Sequence, residues 1–353
     1  MSTSDWTTLQ ALVLYISIIR LQADNKSAWN LSGLAERLES SLEKDDSCFG
    51  AEMRRRVRWH LWYLNRRIRD NCGQSSKPPS HSHEMLFDFE LPMNCHDSEL
   101  RTVMSAPPTT YSGWTAMSFC LLRYDLAVTE MIVESDAQWL DKTRAVRECQ
   151  QRLQSMYLRY CDGTKSIHWL ASHISYVMIT EMWMKLYSPQ FTSGEWSVIS
   201  DQTIRDQLFD AAVDILDTRK RLDDELVARK WEWTLGGYLQ YVPLVFLLDE
   251  LRWRHSGSRV NAAWEVAENA LQRWPEDAKT SANGVLLTEL MARALSARQE
   301  AAHLQTMADS YPLLDQTVFD GLYAGTGIAN IDATIFSEAF QLGLPVEWST
   351  SQP

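Results

Sequence analysis

Polar side chains recur at helical spacing inside an otherwise apolar segment, residues 166–187. His173, Tyr176 and Thr180 follow one another at intervals of three and four, which places them on one face of a helix. Polar groups in apolar surroundings need hydrogen-bond partners or a hydrated cavity. The pattern therefore allows two interpretations. One is a satisfied network in the core, and the other is a pocket that offers a general acid or base and hydrogen-bond donors.

A second aromatic segment, residues 229–254, could close such a pocket. Gly236 and Gly237 would let a ligand or another helix approach the backbone, and Pro243 predicts a kink. If the two helices face each other, they enclose an aromatic box of the kind that binds small molecules. Helix packing would equally explain these residues. For the box we expect the catalytic residues His173, Tyr176, Tyr238 and Gln240, and the substrate-binding residues Thr180, Trp183, Trp231, Trp233 and Tyr241.

Motifs for cofactors and metals are missing from the sequence. It contains no Walker loop and no GxGxxG, GxSxG or HExxH motif, so we expect no cofactor. His81 and His83, with His96 further on, are too few for a closed metal site. The six cysteines are separated by 24, 23, 25, 29 and 12 residues, and none has the two-residue spacing that zinc ligands use. We expect no metal and interpret the cysteines as reduced thiols of an intracellular protein.

A dense basic run lies between residues 54 and 69, interleaved with Trp59, Trp62 and Tyr63. Its arginines are Arg54, Arg55, Arg56, Arg58, Arg66, Arg67 and Arg69. They could bind phosphates, or they could pair with acids and cover aromatic rings with their apolar stems. The net charge of −12 argues against a broad nucleic-acid surface, so the structural interpretation is preferred.

The elements that must position these residues are helical almost throughout. Apolar spacing predicts helices over 5–23, 28–42, 51–73, 112–134, 136–161, 166–187, 200–226, 229–254, 261–274 and 284–308. We find no convincing strand. The prediction is one all-α domain over 1–353, a large irregular multi-helix bundle, with a loop at 74–85 and a less regular tail at 311–353. The apolar start lacks a basic region and a cleavage site, so it predicts a core helix capped by Ser4 or Asp5.

Two stretches resemble a known family. EMRRRVRWHLWYLNRRIRDNCG, beginning at Glu52, is similar to a basic-aromatic helix of the fungal transcription factor regulatory ("middle homology") domain, although Asn65 stands where that pattern prefers Asp. The following FDFELPMNCHDSEL resembles the family's D-x-x-L-P-x-N-x-x-D-x-x-L turn, carried by Leu91, Pro92, Asn94, Asp97 and Leu100. The resemblance covers about residues 30 to 310 and implies that family's helical fold. Relative to the family we expect the zinc-cluster DNA-binding module and the earliest part of the domain to be missing.

Two functions are compatible with these features. We prefer a small-molecule-binding protein of fungal secondary metabolism, specifically a cofactor-independent cyclase or cycloaddition (Diels–Alderase-like) enzyme that orients a polyene or aromatic substrate in the box. Such an enzyme would be cytoplasmic. The alternative is a nuclear co-regulator of the zinc-cluster type that binds an effector and reaches DNA only through a partner. In either case the expected partners are a small molecule and a second copy of the chain, with no direct nucleic acid and no membrane.

Overall fold

The computed structural model describes residues 6–21, 24–42, 47–71, 90–187, 202–224, 240–274, 279–280 and 282–310. Within these ranges the regular structure is entirely helical and contains no strand, which confirms the predicted all-α class. The helices are α1 (Trp6–Leu21), α2 (Asn25–Ser41), α3 (Cys48–Asn71), α4 (Ser118–Glu134), α5 (Trp139–Met156), α6 (Ser166–Tyr187), α7 (Gln202–Asp224), α8 (Tyr241–Glu250), α9 (Ser258–Gln272) and α10 (Ala282–Ser310). Short 3-10 turns cover Asp97–Glu99 and Leu158–Tyr160.

The chain divides into two compact units. The first comprises Met1–Ile179 and Leu222–Tyr238, and the second comprises Thr180–Arg221 and Leu239–Pro353. The boundary between Ile179 and Thr180 falls inside α6. The prediction of a single domain over 1–353 stays a prediction.

The first unit is organised around a three-helix core. Helices α1, α2 and α3 pack on one another, and α4 packs on both α3 and α5. The apolar side chains that meet in this core recur at helical spacing in each helix, which is the pattern an amphipathic helix uses to bury one face. They are Leu9, Val13, Ile16, Ile19, Ala28, Ala35, Val57, Leu61, Leu64 and Ile68.

The second unit is built around α8. All residues of this short helix from Val242 to Glu250 are buried, and α9 and α10 pack on it. The buried apolar side chains of α10 are Leu287, Leu290 and Ala294, at the spacing of three and four that lines one helix face. None of the helices that the structure describes combines the length and the apolar run needed to span a bilayer.

One predicted helix begins later than the sequence indicates, and another is described only in part. The helix expected from residue 112 begins at Ser118, because the side chain of Ser118 accepts a hydrogen bond from the backbone N–H of Thr115 (2.8 Å) and the chain is still turning there. The helix expected over 229–254 is described from Tyr241 to Glu250, and Gly236 and Gly237 lie outside the described residues. Pro243 lies in the first turn of α8, where a proline removes no intrahelical hydrogen bond.

Candidate functional site

The expected aromatic box is only partly within the described residues. Trp231, Trp233 and Tyr238 lie outside them. His173 and Tyr176 belong to the first unit, and the second unit holds the remaining four residues, Thr180, Trp183, Gln240 and Tyr241. The assignment of these nine residues to a site stays a prediction.

Three of the six described members of this set are buried core residues, and the other three are half-buried. Nδ1 of half-buried His173 lies 2.8 Å from the carbonyl oxygen of Trp169, and the two rings are 4.3 Å apart. This contact with the preceding turn satisfies one ring nitrogen of His173 without a ligand. Thr180, Trp183 and Gln240 are buried. Tyr241 is half-buried, with its ring 6.5 Å from that of Trp274, and burial raises the pKa of its phenol.

Most arginines of α3 are engaged in ion pairs. The fully buried carboxylate of Glu52 accepts hydrogen bonds from Arg55 Nε (3.1 Å) and Arg56 Nε (2.9 Å). Arg56 also reaches Asp97 Oδ1 at 2.7 Å and Cys95 Sγ at 3.3 Å. Arg58 pairs with Glu39, and Arg66 pairs with Glu130 and Glu134. These pairs match the structural interpretation of the basic run and leave few of its arginines available to bind phosphate groups.

Glu52 also ties the two family-like stretches to each other. Its oxygens accept a hydrogen bond from the backbone N–H of Met93, at 3.1 and 3.3 Å. The indole N–H of Trp59, two turns further along α3, donates to the carbonyl oxygen of Glu90 (3.1 Å). We call Glu52, Arg56, Trp59, Met93 and Asp97 the α3–loop clasp. It explains why a buried acid, two arginines and an LPxN turn occur together in the sequence.

Asn94 holds the long segment between this turn and α4. Its Nδ2 donates to the carbonyl oxygens of Tyr111 (2.8 Å) and Gly113 (2.9 Å). Its Oδ1 accepts hydrogen bonds from Thr115 Oγ1 (2.7 Å) and Ser118 Oγ (2.9 Å). All four bonding positions of a buried amide are therefore used, which makes Asn94 a structural residue of the turn.

Buried basic side chains surround Tyr63 in the first unit. Arg20 from α1, Arg67 from α3 and Arg123 from α4 are each buried, and half-buried His60 lies one turn before Tyr63. Arg123 donates to the phenol oxygen of Tyr63 from Nε (3.1 Å) and Nη2 (2.8 Å). Arg67 approaches Glu130 at 3.4 Å. We call Arg20, His60, Tyr63, Arg67 and Arg123 the Tyr63 cluster.

The pKa values of the Tyr63 cluster reflect burial beside like charges. Burial, together with the charges of Arg123 and Arg67, lowers the pKa of Arg20 to about 10. Burial, with Arg123 and Arg20 adding to it, lowers the pKa of His60 to about 4. Burial alone would raise the pKa of Tyr63, but the charges of Arg123, Arg67 and Arg20 lower it below its usual value. The cluster therefore keeps His60 neutral and makes the phenol of Tyr63 easier to ionise than an ordinary tyrosine.

Sequence reasoning missed this cluster. In the sequence Tyr63 is one of the aromatic residues that interleave the arginines, and Arg20 and Arg123 lie in other helices. The available signal was a single charged residue inside an apolar helix, which is the case for Arg20 in α1. Among the described residues, no group of three or more His, Cys, Asp or Glu side chains is arranged to hold a metal. His81 and His83 lie outside those residues.

Comparison with known proteins points to transcription factors. The chain is 25% identical to the aurofusarin cluster transcription factor aurR2 of Gibberella zeae over 77% of its length, and 23% identical to the transcriptional regulator AacuB of Aspergillus aculeatus over 96%. It is 24% identical to the pyriculol/pyriculariol biosynthesis cluster transcription factor 1 of Pyricularia oryzae over 86%. The chain spans 42%, 48% and 44% of these three relatives. No family model and no solved structure matches it.

These relatives correct the preferred function. The cyclase or cycloaddition interpretation is wrong, because the relatives are named as transcription factors, two of them as factors of metabolite clusters. The physical reason is that aromatic and polar residues at helical spacing arise from helix packing as readily as from a pocket, as Thr180 and Trp183 illustrate. The expectation of a cytoplasmic location, which rested on the enzyme, loses its support. Catalysis as such is not tested by the comparisons.

Proposed function

We propose that this chain is a regulatory region that controls transcription of a fungal secondary-metabolite gene cluster, and that it acts in the nucleus. The observation that carries the proposal is similarity to several transcription factors over most of this chain. The α3–loop clasp supports it, because the two stretches that resemble the regulatory domain are joined by a buried acid. This is the alternative stated from the sequence.

We propose that the described surface of this chain does not itself contact DNA. The chain carries a net charge of −12, and phosphate binding requires clustered cations that are free to release counterions. In α3, Arg56 is held by Glu52 and Asp97, and Arg66 is held by Glu134. A partner protein or a further segment would therefore read the promoter. A small-molecule effector remains a further prediction for this regulatory region.

Deletion of the gene separates a regulator from an enzyme. We expect transcripts of one biosynthetic gene cluster to fall together in the deletion strain and to return on complementation with the wild-type chain. Complementation with His173→Ala or Tyr238→Phe should restore them equally, because a regulator needs no catalytic residue. Unchanged transcripts combined with an accumulating biosynthetic intermediate would contradict the proposal.

Two measurements on the protein itself complete the test. A fluorescent fusion of the full chain should accumulate in the nucleus, and stable exclusion from the nucleus counts against the proposal. In gel-shift experiments with promoter fragments of the regulated cluster, the purified chain should show no sequence-specific binding. A specific complex that survives excess non-specific competitor DNA would show that the chain itself reads DNA.

A further inference from the structure

Arg123 is a buried cation whose hydrogen-bond acceptor is a phenol. The residue is 9% exposed, and its guanidinium donates from Nε and Nη2 to the phenol oxygen of Tyr63. A guanidinium has five N–H donors, and these two bonds use only one edge of it. The end formed by Nη1 and Nη2 has no acceptor in the part of the chain that the structure describes. Because a buried charge without an opposite charge is costly, an anion bound at this end would be stabilised.

The acids of α4 do not neutralise Arg123, because each forms an ion pair with another arginine. The pairs are Asp125 with Arg152 (2.7 Å), Glu130 with Arg67 (3.4 Å) and Glu134 with Arg66 (2.8 Å). Helix α1, which packs on α3, contains no acid. Among its described residues, the first unit therefore gives Arg123 no carboxylate partner.

Further positive charge lies around the phenol to which Arg123 donates. The Cζ atom of Arg123 is 4.4 Å from the centre of the Tyr63 ring, and that of Arg67 is 6.0 Å from it. Burial acts to raise the pKa of this phenol, but the two arginines, together with Arg20, lower the pKa below its usual value. The positive potential here is exceptional in a chain whose net charge of −12 repels anions elsewhere.

The geometry of Arg123 favours a carboxylate over other anions. Nη1 and Nη2 carry two parallel N–H groups that match the two oxygens of a planar carboxylate. The surroundings are aromatic, since Cζ of Arg123 lies 5.4 Å from the centre of the Phe119 ring and the Tyr63 ring lies 5.9 Å from that of Tyr124. A singly charged organic acid balances one guanidinium and has an apolar part for these rings. A phosphate carries more charge and loses more hydration on burial.

We propose that Arg123 and Tyr63 form a binding site for a small organic carboxylate. The carboxylate lies on the Nη1–Nη2 end of Arg123, and the apolar part of the ligand lies toward Phe119. Binding follows from the contacts of the first unit alone, and only the use of such an acid as an effector of the regulatory region rests on the proposed function. Titration of the purified chain and deletion of the gene therefore fail independently of each other.

Isothermal titration calorimetry of the full chain with sodium benzoate tests the site, at an ionic strength held constant with sodium chloride. The wild-type chain should show a single saturable site. Arg123→Lys keeps the charge but removes the paired N–H groups, so it should weaken binding at least about tenfold. The matched control is Arg152→Lys on α5, an arginine that already pairs with Asp125, and it should bind as the wild type does. No saturable binding to the wild type, or equal binding by Arg123→Lys, overturns the proposal.

Tyr63→Phe tests the site without changing Arg123. The phenol oxygen no longer competes for the guanidinium, so benzoate should bind about tenfold more tightly than to the wild type. Benzoate should also raise the melting temperature of this variant more than that of the wild type, and phosphate at the same ionic strength should raise it less than benzoate. Unchanged affinity in Tyr63→Phe, or a larger effect of phosphate, refutes a carboxylate site. Far-UV circular dichroism verifies that each variant is folded.

Discussion

The phenol of Tyr63 in the first unit and the carboxylate of Glu250 in the second are both buried and accept hydrogen bonds from arginine, but the two acceptors differ in charge. In the second unit the acceptor is the carboxylate of Glu250, which lies 3.0 Å from Arg205 Nε and 2.9 Å from Arg254 Nε. In the first unit Arg123 converges on the phenol of Tyr63. A carboxylate carries a full opposite charge, whereas a phenol carries one only when it ionises.

This difference predicts two kinds of sensitivity. The Glu250 group is an ion-pair network, extended by Asp206, which accepts from Arg254 at 2.5 Å. Removing the charge of its acceptor should cost stability at any neutral pH. In the Tyr63 cluster, by contrast, buried basic groups lie close to one another, and this lowers the pKa values of Arg20 and His60. Its contribution to stability should therefore change with pH.

The largest effect is expected for Glu250→Gln. The amide keeps the shape of the side chain but removes the charge that Arg205 and Arg254 share, and breaking a buried ion pair from one side costs about 3 kcal/mol or more. Urea denaturation measures the free energy of unfolding. Glu265→Gln is the matched control, because Lys220 pairs with Glu265 at an exposed site, and it should leave stability nearly unchanged. Equal costs for both variants would contradict an essential role of Glu250.

The second effect is the pH dependence of the Tyr63 cluster, through His60. Its folded pKa of about 4 lies below the usual histidine value, so the unfolded chain binds the proton first as pH falls. Stability is therefore lost between about pH 6.5 and about 4, by up to about 3 kcal/mol for this group alone. His60→Asn should flatten the fall in unfolding free energy over that range. His255→Asn, at an exposed position, should leave the fall unchanged; identical profiles for wild type and His60→Asn would refute the assignment.

The fold could be predicted from the sequence because its helices rest on local patterns. The spacing of Val57, Leu61, Leu64 and Ile68 is sufficient to predict α3 and its buried face. The start of α4 could not be predicted, because Ser118 begins the helix through contacts with Asn94 and Thr115, and Asn94 is 24 residues away in the chain.

The candidate sites were harder to predict where their residues come from distant parts of the chain. Glu52, Arg55 and Arg56 lie within one turn of α3, so their pairing was within reach of helical spacing. The Tyr63 cluster draws Arg20, Tyr63 and Arg123 from three helices, and no local pattern relates them. Thr180 and Trp183 are buried, and periodicity alone does not distinguish a packed core from a pocket.

The smallest expected effect tests the phenol itself. Tyr63→Phe keeps the ring that packs against Tyr124 (5.9 Å between centroids) but removes the oxygen that accepts two hydrogen bonds from Arg123. A buried guanidinium that loses its acceptor costs about 1–3 kcal/mol. Tyr15→Phe, at an exposed position, should cost almost nothing. If Tyr63→Phe is as neutral as Tyr15→Phe, Arg123 has another sufficient acceptor. The contrast between the two acceptors would then fail.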